Sequence, residues 1–84
     1  MSKEALKEVV GGWANGDGSK TEMWLKILSD QDIDDFDILM SLSPEAFSIL
    51  LNNVKTPVLF QRLSDWYRKQ FPDSKASFYV IFYR

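Results

Sequence analysis

The stretch Ser43-Pro44-Glu45-Ala46-Phe47-Ser48-Ile49-Leu50-Leu51-Asn52-Asn53-Val54-Lys55-Thr56-Pro57 decides the fold class. At each end a hydroxyl residue stands directly before a proline. The proline lacks an N–H that the first helical turn leaves unpaired anyway, and the Ser or Thr oxygen accepts from a neighbouring orphan donor. Two such starts so close together demand short helices in a compact bundle. Behind Pro44, the residues Phe47, Leu50, Leu51 and Val54 share an inner face, and Asn52-Asn53 is a fraying point. Behind Pro57, the residues Leu59, Phe60, Leu63, Trp66 and Tyr67 form a broad apolar face. Arg62, Arg68 and Lys69 toward its end complement the helix dipole, and Pro72-Asp73 closes the helix.

Working toward the N-terminus, Ile33, Phe36, Leu39 and Met40 supply the buried stripe of a helix ending near Ser41. Ser29 to Asp32 is its capping pattern, with Asp in the fourth place. Before it, Ser19-Lys20-Thr21-Glu22 has the form of a capping box, followed by Met23, Trp24, Ile27 and Leu28 as apolar pairs one turn apart. Ala5, Leu6, Val9, Val10 and Trp13 recur on one face opposite Lys3, Glu4, Lys7 and Glu8. They predict an amphipathic helix over residues 2 to 10 that Gly11-Gly12 ends. Asn15-Gly16-Asp17-Gly18 is turn chemistry, because Gly and Asn accept positive φ.

The expected fold is therefore all-α, a compact bundle of about five short helices in a single domain over residues 1–84. An N-terminal helix and loop occupy 1–20, core helices 21–72 and an aromatic tail 73–84. Trp24, Phe36, Leu39, Phe47, Leu50, Phe60, Leu63 and Tyr67 are the expected core. The tail, Ser77-Phe78-Tyr79-Val80-Ile81-Phe82-Tyr83-Arg84, has the propensity of a strand. It reads equally as an extended arm on the bundle, as an edge paired with another chain, or as a helix.

The chain has 84 residues, enough for one small core, and its 45% apolar and 14% aromatic content is too rich for a disordered segment. It contains neither cysteine nor histidine. That removes the thiol nucleophile, the usual neutral-pH base and the two commonest transition-metal ligands, so we expect no enzyme, no catalytic residues, no metal and no cofactor. Met1-Ser2-Lys3-Glu4-Ala5 has mixed charge and is no secretory signal, and no run reaches the length of a membrane span. A soluble, cytoplasmic protein without membrane partners is expected, in a host cytoplasm if the chain is a mature effector fragment.

Three local patterns invite sharper readings. Asp30, Asp32 and Asp34 have the spacing of the first ligands of a calcium loop, but Asp35 replaces the turn glycine and Ser41 the bidentate glutamate. Carboxylates gathering at a helix N-terminus explain them instead. Ala14 to Thr21 nearly fits a phosphate-binding loop, with Ser19 where a glycine is needed and no strand before it. We read a flexible loop followed by a helix cap. Trp66-Tyr67-Arg68-Lys69, with Arg62 one turn back, interleaves aromatic and basic residues as a single-strand nucleic-acid binder does. The lack of a dense basic cluster argues against that use. The large rings of Trp13, Trp24 and Trp66 are either core or exposed interface anchors.

From Met23 to Pro72 the chain resembles the WY-domain of oomycete host-translocated (RXLR-type) effectors. The resemblance rests on Trp24, on Asp32-Ile33-Asp34-Asp35-Phe36 with Leu39 and Leu42, and on Trp66-Tyr67. It implies a helical bundle in which Trp24 and Tyr67 stack in the core while surface residues bind a host protein, a virulence role. From Ile33 to Lys69 it also resembles the sterile alpha motif, through an Ile-Asp segment, the Leu39 to Leu42 turn, Ser43-Pro44-Glu45-Ala46-Phe47 and a long final helix. That resemblance implies a self-associating adaptor.

Residues 1 to 54 hold four basic and ten acidic side chains, and residues 55 to 84 hold six basic and two acidic. Such a dipolar surface suits protein partners. The expected function is docking on another protein as a regulator or effector, with self-association as the alternative and nucleic-acid binding as an outsider. Trp13, Asp34, Asp35, Arg62, Trp66, Arg68 and Lys69 are the candidate partner-binding residues.

Overall fold

The computed structural model describes residues 2–72, and all its regular structure there is helical. Five short helices follow in order: α1 (Ser2–Trp13), α2 (Gly18–Asp30), α3 (Phe36–Ser41), α4 (Pro44–Asn53) and α5 (Pro57–Gln70). The fold class is thus all-α, as the two proline starts require. The readings of the tail as strand, arm or helix lie outside the described residues. The chain sorts into two compact units, Met1–Ser41 and Leu42–Arg84.

In the first unit α1 packs against both α2 and α3. Leu6, Val10 and Ala14 are buried along α1 and its end, Trp24 and Leu28 along α2, and Ile33 and Leu39 further on. The α1 helix does not stop at Gly11-Gly12; it runs through both and ends at Trp13. Glycine in a helix costs only about 0.5–1 kcal/mol, and burial of the Leu6–Val10 face outweighs that. The real stop is a Schellman turn. Asn15 takes a left-handed φ of 54° and Gly16 one of 80°. The Gly16 N–H donates to the Gly11 carbonyl at 3.0 Å and the Asn15 N–H to that of Gly12 at 3.2 Å.

The two capping patterns expected in this unit are both displaced. Asp17, not Ser19, caps α2: its carboxylate accepts from the Lys20 N–H at 2.9 Å. Its carbonyl takes the Thr21 hydroxyl at 2.7 Å, which satisfies that buried side chain. Ser29 lies within α2, and Asp32, with φ 67°, ends that helix instead of helping to start the next. Here too the turn is of Schellman form, with Ile33 N–H donating to the Leu28 carbonyl and Asp32 N–H to that of Ser29, both at 2.9 Å. The carboxylate that opens α3 is Asp35, accepting from the Ile38 N–H at 2.9 Å. In both cases an aspartate carboxylate is the side chain that stands within reach of the free N–H.

The second unit is a pair of packed helices, α4 and α5. Ser43 caps α4 as its sequence demands, accepting from the Ala46 N–H at 3.1 Å. Thr56 does not: its backbone is extended before Pro57, but its side chain makes no cap bond. The start of α5 is set by the fixed φ of the proline alone. Phe47, Leu50, Leu51 and Val54 are buried on the α4 side, and Leu59, Leu63, Ser64 and Tyr67 on α5. The Ser64 hydroxyl is spent on the Phe60 carbonyl at 2.8 Å.

Of the expected core, Trp24, Leu39, Phe47, Leu50, Leu63 and Tyr67 are buried, while Phe36 and Phe60 are only half-buried. Met40, expected on a buried stripe, and Met23, read as part of an apolar pair, are instead 37% and 58% exposed. Met is unbranched and flexible, so it adapts to a half-covered position at the rim of a small core.

Candidate functional site

Four aromatic side chains of the second unit, Phe47, Trp66, Tyr67 and Phe71, form one cluster. Phe47 of α4 lies nearly parallel to Tyr67 of α5, with ring centroids 4.0 Å apart. Phe71, just past the end of α5, meets Tyr67 at 4.8 Å and stands edge-on to Trp66 at 6.3 Å. Trp66 is tilted to both Phe47 and Tyr67 at 6.5 and 6.3 Å. Offset and edge-to-face arrangements of this kind add to plain area burial. Tyr67 closes the inside of the cluster, and Trp66 stays half-buried at its margin. Trp66 is thus neither fully core nor fully exposed.

Helical periodicity places Val58, Arg62, Trp66 and Lys69 on one stripe of α5, since they step by four, four and three residues. Val58 is 49% exposed, Lys69 is exposed, and Arg62 is half-buried with Trp66. The Arg62 Nε–H is buried and, among the described residues, has no hydrogen-bond partner. A buried donor left unpaired costs about 1–3 kcal/mol. Arg68 projects from another side of the helix. It is paired with Asp65, which also accepts from Gln61 Nε2 at 3.0 Å. Partial burial pushes the Asp65 carboxyl up, but the hydrogen bonds from Gln61 and Arg68 and the charges of Arg68 and Lys69 hold it below its ordinary value.

The remaining candidates belong to the first unit. Trp13 is half-buried at the end of α1. Asp35 is occupied as the α3 cap, and Asp34 accepts from the Ser29 hydroxyl at 2.8 Å. Both therefore have local structural work, in keeping with carboxylates gathering at a helix start. Among the described residues no acidic group is gathered closely enough to hold a metal ion. The segment that nearly fits a phosphate loop is a tight, hydrogen-bonded turn rather than a flexible one. Lys20 from it lies with its Nζ 5.7 Å from the Trp24 ring centroid, a cation–π contact. Gly11, Gly16, Gly18 and Thr21 instead line an open groove edged by Lys7 and Glu22, which pair at 3.5 Å.

Thus four candidates lie on α5, and three of them, Arg62, Trp66 and Lys69, share one stripe. Sequence reasoning missed Val58, Ile49 and Phe71. Val58 was legible from its spacing to Arg62. Ile49, 62% exposed, stands out of phase with Phe47 and Leu50, a signal also present in the sequence. Phe71 lies past the helix end, where periodicity has no force. No helix among the described residues is long and apolar enough to cross a membrane. No protein-family model, curated protein or solved structure matches the chain.

Proposed function

We propose that this chain is a non-enzymatic helical binding module that docks on another protein, as a regulator or effector, through the Val58–Arg62–Trp66–Lys69 stripe of α5. The observation that carries this reading is the stripe itself, in which a half-buried arginine and a half-buried tryptophan one turn along stand between an exposed valine and an exposed lysine. Tryptophan and arginine in such semi-enclosed positions are the residues that dominate interface energetics. A carboxylate on the partner would satisfy the guanidinium, while Lys69 would steer the approach. The matching partner surface is an acidic segment with an apolar side chain to set against Trp66 and Val58.

A photo-crosslinking amino acid at the exposed position 58, with position 8 as control, tests this in extract of the source cell while leaving Trp66 in place. Crosslinks to a different polypeptide should form at 58, not at 8, and disappear in the Arg62→Glu/Lys69→Glu double variant. Equal yields at both positions would remove the proposal. A product of twice the chain's own mass would move it to self-association, and binding of an oligonucleotide abolished by the double variant would move it to nucleic acid.

A further inference from the structure

We propose that Asn15 is a self-modification site, a deamidating Asn-Gly pair whose reaction the α1 cap holds in check. The Asn15-Gly16 dipeptide combines an exposed amide side chain with a following residue that offers no Cβ to hinder attack. In the reaction the deprotonated Gly16 backbone nitrogen attacks Asn15 Cγ, the new C–N bond closes a succinimide, and the Cγ–Nδ2 bond breaks to release ammonia. Water then opens the ring at either carbonyl. One opening leaves Asp at position 15, the other an isoaspartyl linkage with an extra methylene in the main chain.

The fold opposes the first step at its nucleophile. The Gly16 N–H is committed to the Gly11 carbonyl at 3.0 Å, as one of the two bonds of the Schellman turn. The left-handed φ values of 54° at Asn15 and 80° at Gly16 hold the dipeptide in that turn. Reaction therefore requires the end of α1 to open, so the rate follows the local opening equilibrium of the first unit. Either product then works against reclosure. A carboxylate at position 15 sits at the negative end of the α1 dipole and two residues from the Asp17 cap. The isoaspartyl product lengthens the main chain by one atom, so the Gly16–Gly11 and Asn15–Gly12 bonds can no longer both form. The site thus records, irreversibly, how often this helix end has been open.

The test follows the tryptic peptide spanning residues 8–20 by mass during incubation of the full chain in mildly alkaline buffer, with and without denaturant. Deamidation gains one dalton, and electron-transfer fragmentation places it at residue 15 and separates Asp from isoaspartate. The folded chain should convert more slowly than the denatured one by on the order of tenfold or more, with Leu28→Ala, which weakens the buried face of α2, in between. Equal rates in folded and denatured chain, or no conversion at residue 15 in either, would overturn the proposal. Because the unmodified chain supplies both limits, the test survives a Leu28→Ala variant that fails to fold.

Discussion

Tyr67 is 2% exposed, and its ring lies 4.0 Å from that of Phe47, so its truncation removes the centre of the aromatic cluster and leaves a cavity. Tyr67→Ala is expected to destabilise the chain by about 3–5 kcal/mol, read from urea unfolding. Trp66→Ala should cost clearly less, because that ring is half-buried. The two hydroxyl residues before prolines separate in the same assay. Ser43→Ala loses a real cap bond and should cost about 1 kcal/mol, whereas Thr56→Ala should be nearly silent. Asp65 supplies a pH test. Its folded pKa lies below the ordinary 3.8, so its contribution is present above that value and lost as pH falls through the folded one. Its side chain is 41% exposed, which limits the contribution to about 0.5 kcal/mol or less. The stability gap between the wild-type chain and Asp65→Asn should therefore close on acidification below about pH 4.

Helix ends set the local energetics of the first unit. Two Schellman turns place non-glycine residues, Asn15 and Asp32, in the left-handed region. Glycine takes that conformation without steric cost, so Asp32→Gly should stabilise by up to about 1 kcal/mol, and Gly16→Ala should destabilise, both seen as shifts in thermal midpoint. Gly11 behaves oppositely because it is helical. A Cβ there would meet Thr21 Oγ1 at 3.9 Å, an ordinary contact, and Gly12 has nothing within 4 Å. Gly11→Ala and Gly12→Ala should each stabilise by about 0.5–1 kcal/mol. A loss of stability at Gly12 would mean that the glycine pair is needed for something other than the helix. At this scale the proline starts and the apolar faces of α4 and α5 were legible, because proline geometry is local. The true caps were not, because several Ser and Asp residues compete for one role and only their distance to a free N–H decides.

Across the whole chain the charge runs from an acidic N-terminal part to a basic C-terminal one, with a net of −2. Complementary ends could join copies head to tail, a contact that does not close on itself. Docking on a different protein predicts instead a monomer whose sedimentation is the same at low and high salt. A larger species that salt dissolves would favour self-association, since screening weakens contacts between exposed charges. Surface pairs such as Lys7–Glu22 and Lys26–Asp30, at 3.5 and 3.6 Å and largely exposed, contribute little either way.

By itself, the amino-acid sequence determined the helical class, the start of α4 and α5 and the burial of Leu39, Leu50, Leu63 and Tyr67, all set by backbone restriction and by the 3.6-residue repeat. Tertiary structure alone decided which aspartate caps which helix, that α1 continues through its glycine pair, and that the Arg62 Nε–H is buried with no partner among the described residues. Those outcomes depend on distances between groups that are remote in helical register or equal in propensity. Only the packed chain sets those distances.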